Sequence, residues 1–187
     1  MTTTRSLRLV VLMIALVTCG GNSISHISVT QTASTTIEAG TLLEQLAGDA
    51  FGFGGLGGFE ITESSEFKNQ GVKREQINSV KLKSLTLSIT SAASDQDFRF
   101  LESLAFFVES AGLPKKEVAR GGPFQMGAKE VSLTVLDVEL APYASAASMT
   151  FTTNAKGQKP KNTSIIMAKV ILDADINIAG VVCGGGK

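Results

Sequence analysis

Few residues of this chain have the types and spacing that acid–base or nucleophilic chemistry needs. His26 is the only histidine, although general acid–base catalysis and nucleophilic triads commonly use one. Because His26 follows an apolar N-terminal run by only a few residues, we interpret it as a solvated linker residue. Zinc sites combine several cysteines and histidines, and the chain has two cysteines. We therefore predict no catalytic residue, no metal site and no cofactor, and a protein that is not an enzyme.

Carboxylates occur as close pairs at two places in the sequence. Asp95 and Asp97 form an Asp-x-Asp pair, whereas calcium takes about six to eight oxygen ligands. We interpret this pair as turn and capping residues and leave cation binding open. Asp173 and Asp175 share one face of a predicted strand and could serve as a carboxylate pair in a hydrolase. The nearby Lys169 favours a solvated strand face instead.

A glycine-rich segment, residues 48–59, contains the dinucleotide pattern G-x-G-x-x-G from Gly52 to Gly57. That motif needs a strand before it and a helix after it. Here the predicted order is the reverse, so we interpret the segment as a loop that folds over one end of the protein. Its apolar side chains are Phe51, Phe53, Leu56 and Phe59. An alternative is that these side chains dip into a membrane surface, since an exposed apolar patch needs a purpose.

The N-terminal segment has the composition of an export signal. Arg5 and Arg8 lead into an unbroken apolar run at residues 9–17. A membrane-spanning helix needs roughly 20 apolar residues, whereas the core of a signal peptide has about 7–15. The run is therefore too short to cross a bilayer and has the right length for a signal.

The run ends on "LVTC", residues 16–19, which resembles the lipobox of bacterial lipoproteins. Thr18 departs from that pattern, in which Gly, Ala or Ser is usual. The resemblance covers the export segment alone. It implies cleavage before Cys19 and attachment of fatty-acyl chains such as palmitate to Cys19, which anchor the protein to a membrane. Ordinary secretion, with Cys19 incidental, is the alternative.

The same resemblance bears on location. Gly20, and not an aspartate, follows the cysteine. In a diderm cell the family pattern then implies the outer membrane, with the protein facing the periplasm or the exterior. If Cys19 is lipidated, Cys183 has no disulfide partner, and we interpret it as a buried or passive thiol. The 17 basic and 17 acidic residues balance, which argues against a nucleic-acid partner.

Alternating apolar residues predict strands along most of the chain. The pattern is longest at residues 164–178, where one face is apolar and the other carries charges, as in an antiparallel sheet. At residues 77–90 the apolar step from Leu82 to Leu85 is three, so we predict a β-bulge near Lys83–Ser84. A second bulge is predicted between Val135 and Val138.

Shorter segments are less regular. Thr41 and Glu44 fit a capping box, so we predict a short helical turn near residues 41–47. Residues 26–40 are predicted as a first strand or a tether running into one, and residues 59–67 and 148–157 as strands. For residues 94–110 we prefer a tight turn at 95–100 and a strand at 103–110 over a helix.

These elements predict an all-β protein, an antiparallel immunoglobulin-like β-sandwich of about seven or eight strands. Residues 1–18 would be the lipoprotein signal peptide, and residues 19–40 the lipidated cysteine with its tether or first strand. Residues 41–183 would form a single β-sandwich domain, and residues 184–187 a flexible tail.

The predicted function is a non-enzymatic, lipid-anchored binding or structural module of the cell envelope with an unknown protein partner. One alternative is a carrier that holds a small apolar ligand or lipid between the sheets, which an apolar cavity of roughly 300 Å³ or more would favour. The other is a carboxylate-dependent hydrolase, which two inward-facing acids within about 10 Å would favour.

Overall fold

The alternating segments form strands, as the sequence predicts. The structure is a computed structural model and describes residues 24–41, 45–48, 60–91, 96–146 and 148–177. The predicted signal peptide, Cys19, residues 49–59 of the glycine-rich segment, Asp95, Cys183 and the predicted tail lie outside these residues.

The described elements are mostly strands. They are β1 (Ile24–Ile37), β2 (Gln45–Gly48), β3 (Ile77–Ser91), β4 (Leu101–Ser110), β5 (Leu113–Gly121), β6 (Glu130–Ser132), β7 (Thr134–Val135), β8 (Thr150–Gln158) and β9 (Ser164–Asn177). The helical elements are α1 (Ser65–Lys68), α2 (Ala141–Ala144) and the 3-10 turns Ile61–Glu63, Arg74–Gln76 and Phe98–Phe100. The strands form a four-stranded sheet, β1-β9-β3-β6, and a five-stranded sheet, β2-β8-β4-β5-β7.

The strand order is that of a jelly roll. One segment leaves the four-stranded sheet as β6 and joins the five-stranded sheet as β7, with Leu133 between them. If β6 and β7 are counted as one strand, β1-β9-β3-β6 faces β2-β8-β4-β5, as in a double-sheet jelly roll of eight strands. The predicted antiparallel β-sandwich is therefore confirmed, and its immunoglobulin-like architecture of two facing sheets is combined with jelly-roll connectivity.

A single apolar core lies between the sheets. Every second residue of β9 from Ser164 to Ile176 is buried, which confirms the inward face predicted for this strand. Opposite it, Leu104, Phe106 and Val108 of β4 are at most 1% exposed and belong to the same buried cluster. Alternation therefore places one face of each sheet in the core and leaves the other to water.

The β-bulge predicted near Lys83–Ser84 is confirmed. The register of β3 against β9 shifts between Leu82 and Ser84. Leu82 and Leu85 are both buried as a result, although three residues separate them. A regular strand would have turned one of the two toward solvent, because a slip of one residue exchanges the two faces.

The second predicted bulge is a change of sheet followed by a tight turn. The Leu133 N–H still donates to Leu85 of the four-stranded sheet, at 2.9 Å, whereas Thr134 pairs with Arg120 of the five-stranded sheet. The Val138 N–H then donates to the Leu136 carbonyl, at 2.9 Å. The irregular apolar spacing therefore reflects a chain that leaves the four-stranded sheet, pairs with β5 over two residues and then turns.

Two short elements were predicted wrongly. The helical turn predicted near residues 41–47 is replaced by β2, since Gln45–Gly48 pairs with Gln158–Ala155 of β8. The strand predicted at residues 59–67 is instead the 3-10 turn Ile61–Glu63 followed by α1. Isolated helices and strands of this length are marginal, so the surrounding structure decides their type. By contrast, the turn and strand preferred for residues 95–110 are confirmed by the 3-10 turn Phe98–Phe100 and β4.

β1 is a strand of the sandwich along its whole length and not a tether. All fourteen of its residues pair with β9, so the interpretation of His26 as a linker residue is wrong. His26 pairs in register with Asp175, and the Nδ1 atom lies 2.5 Å from its carboxylate. The pairing partner is 149 positions away in the sequence, which is why local context did not reveal it.

Different helices and loops cover the two ends of the sandwich. At the end where β1 begins, here the proximal end, Tyr143 of α2 donates its hydroxyl hydrogen bond to the Pro114 carbonyl, at 2.5 Å. At the other end, here the distal end, the Gly40 N–H donates to the Pro160 carbonyl, at 3.0 Å. The distal end also carries loop 122–129, where the Ala128 carbonyl accepts from Phe98 N–H at 3.1 Å. Among the described residues, no helix has the length and apolar character that crossing a bilayer requires.

Candidate binding site at the distal end

The acidic pair of β9 lies on the exposed face of the four-stranded sheet. Asp173 pairs with Lys83, with a shortest Nζ–carboxylate distance of 3.0 Å, and Asp175 pairs with His26. Both carboxylates are partly exposed, and the His26 side chain is 80% exposed. The prediction of a solvated strand face is confirmed.

Asp97 is the one carboxylate among the buried residues that the structure describes. One of its oxygens accepts from the Arg99 backbone N–H at 3.0 Å, and the other from the Gly127 N–H at 2.8 Å. The Arg99 side chain donates through Nε to both oxygens, at 3.0 and 2.8 Å. Asp97 therefore caps the 3-10 turn and joins it to loop 122–129, which confirms the predicted capping role.

These contacts determine the ionisation of Asp97. Burial by itself raises the pKa of a carboxyl group, but the N–H donors of Gly127 and Arg99 and the Arg99 guanidinium outweigh it, so the pKa of Asp97 lies below its usual value. A carboxylate satisfied in this way is a structural group. Its oxygens are already occupied, and the described part of the chain contains no group of three or more potential metal ligands.

The Asp97 contacts are expected to stabilise the fold in a pH-dependent way. Because the pKa is lower in the folded than in the unfolded chain, the stabilisation is complete above the unfolded pKa of about 3.9 and is lost as the pH falls through the folded value. We expect Asp97→Asn to lower the free energy of unfolding by about 2 kcal/mol at neutral pH. Urea unfolding at pH 7 and pH 3 checks this, and a difference that is as large at pH 3 as at pH 7 would contradict it.

A polar groove of about 310 Å³ lies beside Asp97 at the distal end. We call it the distal groove. It is lined by Gln96, Asp97, Arg99, Phe100, Gln158, Lys159, Pro160 and Lys161. One wall is the 3-10 turn with its preceding residues, and the other is the end of β8 with the loop to β9. Three cationic side chains face one carboxylate, and that carboxylate is already neutralised by Arg99, so the groove favours an anion.

Arg99 is held so that part of its guanidinium stays available. Its Nε is engaged by Asp97, whereas Nη1 and Nη2 have no hydrogen-bond partner among the described residues, and the side chain is 50% exposed. A guanidinium binds carboxylate or phosphate through paired N–H groups. Asp97 therefore orients the Arg99 guanidinium in the groove and leaves its two Nη groups available as donors.

A second groove, of about 490 Å³, lies on the outer face of the five-stranded sheet. We call it the lateral groove. Its floor is made of small residues, since Ala105 stands in register between Arg120 and Asn154. Lys156 also lines it and forms no ion pair with any described residue. Arg120 makes only a loose contact with Glu117, at 3.9 Å between Nε and the carboxylate, and such exposed pairs contribute little.

The two grooves adjoin each other along β8. Lys156 lines the lateral groove, and Gln158, two residues further along the same strand, lines the distal groove. Together they place five cationic side chains around the distal end. These are Arg99, Arg120, Lys156, Lys159 and Lys161.

Sequence reasoning did not single out these five residues. The density of lysines at residues 156–161 was nevertheless a usable signal. Arg99 and Arg120 carried no local signal, because a single arginine beside a turn or on a strand is ordinary. The apolar cavity expected of a carrier is not one of the two grooves, which are open, polar and outside the sheets.

Fold and site together define an antiparallel jelly-roll sandwich with two adjoining basic grooves at one end. No protein-family model matches the chain, and no curated protein sequence matches it. A decameric BFDV capsid protein is similar at a TM-score of 0.41 and 8% identity, over 83% of this chain and 100% of that one. The 60-mer of BFDV capsid protein gives 0.39 and 10%, over 83% and 94%. Likeness at this level says nothing about what this chain does.

Proposed function

We propose that this protein is a lipid-anchored binding module of the cell envelope, non-enzymatic, which holds a protein partner at its distal end. The anchor is Cys19, whose sequence context resembles a lipobox. The envelope surface is the outer membrane, with the sandwich facing the periplasm or the exterior. A fold alone does not imply a function, so the proposal depends on where the grooves lie relative to the anchor.

The length of chain between anchor and fold supports this arrangement. Cys19 precedes Ile24, the first residue of β1, by five positions, and five residues reach at most about 17 Å. The proximal end is therefore held close to the bilayer. β1 has 14 residues, which span about 45 Å in a regular strand. With the strand directed away from the membrane, the distal end is the most accessible part of the protein.

The observation that carries the proposal is that both grooves lie at or next to this distal end. Their cationic residues stand on β5, on β8, in the 3-10 turn before β4 and in the loop after β8, so neighbouring elements of the five-stranded sheet position them. Binding sites positioned by a rigid scaffold lose little conformational entropy when a partner docks.

Capture of the partner from native membranes tests the proposal. We expect detergent-solubilised anchored protein to retain a defined partner after crosslinking, and the double variant Lys156→Gln/Lys161→Gln to recover at least about tenfold less, since rim charges steer and orient association. The double variant Lys73→Gln/Lys116→Gln removes the same charge from exposed positions outside both grooves and is the control. Equal recovery by all three proteins would contradict binding at the distal end.

A further inference from the structure

We propose that the distal groove binds a side-chain carboxylate from an acidic polypeptide segment of the partner, with Arg99 as the residue that takes the carboxylate. This assignment rests on the proposed function, since it names the chemistry of the partner at the same site. It would make the protein a receptor for acidic segments.

The first step is the orientation of Arg99. A free arginine side chain samples many rotamers and loses that freedom on binding. Here the Asp97 carboxylate, itself almost fully buried, holds Nε at 2.8–3.0 Å. The two Nη groups are the remaining donors, and they match the two oxygens of a carboxylate. The buried Asp97 carboxylate therefore acts as a positioning residue for the exposed Nη groups of Arg99.

The second step is the charge around Arg99. Lys161 lies on the facing wall and forms no ion pair with any described residue. Glu38 lies near the same loop, since it accepts a hydrogen bond from the Thr163 hydroxyl at 3.2 Å, but it does not line the groove. Asp97 is neutralised by Arg99, so the groove keeps a positive excess that a neutral ligand would leave uncompensated.

The third step distinguishes an acidic polypeptide from a polyphosphate. Phe100 and Pro160 give the groove an apolar wall, and Gln96 and Gln158 give it amides. Side chains of this kind suit a peptide, whose backbone groups and aliphatic stems lie between its charges. The lateral groove continues the binding surface with Arg120, Lys156 and Asn154. A segment that carries spaced acids can therefore occupy both grooves, whereas a dense polyanion meets apolar surface between the cations.

Titration of the detergent-solubilised mature protein with a fluorescent eight-residue peptide tests this assignment. The peptide alternates Glu and Ser, and a matched peptide carries Gln in place of Glu. We expect the Gln peptide, and also the Arg99→Gln variant, to raise the dissociation constant by about tenfold, as loss of a charge-assisted pair does. The dissociation constant of Arg99→Lys should fall between those of the wild type and Arg99→Gln, because an ammonium lacks the paired donors. Lys116→Gln is the control and should leave the constant unchanged.

Two further measurements keep the outcome decisive. Arg99→Gln removes the partner of a buried carboxylate, so Lys161→Gln, which forms no ion pair with any described residue, is titrated beside it and should weaken binding by about threefold. Equal affinity for the Glu and Gln peptides would overturn the carboxylate assignment, as would stronger competition by inorganic polyphosphate than by the Glu peptide. If the groove variants still lose the native partner while the Glu peptide fails to bind, only this assignment fails and the proposed function stands.

Discussion

Replacement of Cys19 by alanine is expected to move the protein from the membrane fraction to the soluble fraction. The expectation follows from the resemblance of residues 16–19 to a lipobox, in which the cysteine sulfur carries the lipid. Each buried methylene contributes about 0.8 kcal/mol, and a single acyl chain binds only marginally. The several chains of a bacterial lipoprotein retain a protein in the bilayer, so loss of the one attachment residue should change its location almost completely.

Fractionation of cells that express the full chain measures this effect. Cys183→Ala removes the other cysteine and serves as the control, because it should leave the protein in the membrane. Mass spectrometry of the wild-type protein should find Cys19 as the first residue, with its acyl chains. Membrane retention of the Cys19→Ala protein, or a mature chain that begins elsewhere, would remove the anchor from the proposed function and leave the basic grooves as an unanchored site.

Substitution of Gly157 by alanine is expected to lower the free energy of unfolding by about 3 kcal/mol or more. Gly157 has a φ of +151°, and it lies where β8 passes the start of β4. A Cβ atom there would fall on the Phe100 carbonyl oxygen and lie 2.9 Å from the Leu101 Cα. Both obstacles are backbone, so neither can rotate away. The 3-10 turn that carries Arg99 would have to shift.

Gly112, in the turn between β4 and β5, provides a matched control. Its φ is also positive, at +77°, but nothing lies within 4 Å of the position its Cβ would take. Gly112→Ala should therefore cost only the strain of a left-handed alanine, about 1–2 kcal/mol. Urea unfolding of the two variants separates the loss of stability caused by a close backbone contact from the loss caused by the left-handed backbone conformation. Equal losses of stability would show that the contact with Phe100 is unimportant.

The Gly157 substitution also links the fold to the proposed site. Arg99 is the middle residue of the 3-10 turn that Gly157 approaches, and its guanidinium is oriented only as long as Asp97 and Arg99 keep their positions. A variant that remains folded should therefore bind the acidic peptide more weakly. Gly112 lies at the proximal end, so its substitution should leave peptide binding intact.

Tertiary contacts determined the type of two short elements that the local sequence pattern predicted wrongly. Thr41 and Glu44 suggested a capping box, yet Gln45–Gly48 is a strand because β8 provides backbone hydrogen bonds for it. Residues 59–67 alternate in sequence, yet the described residues 61–68 form a 3-10 turn and α1, with Ile61 and Phe67 buried. Both segments are too short for local preference to prevail over tertiary contacts.

The sequence by itself determined the all-β class, the inward faces of β3 and β9 and the bulge near Lys83–Ser84. These features depend on side-chain alternation, which is local and has a period of two. Only the tertiary structure decided the jelly-roll order, the pairing of His26 with Asp175 and the meeting of Asp97 and Arg99 with residues 158–161. Those features join residues that are far apart in the chain, and no local spacing encodes which strand edges and loops come together when two sheets close over one core.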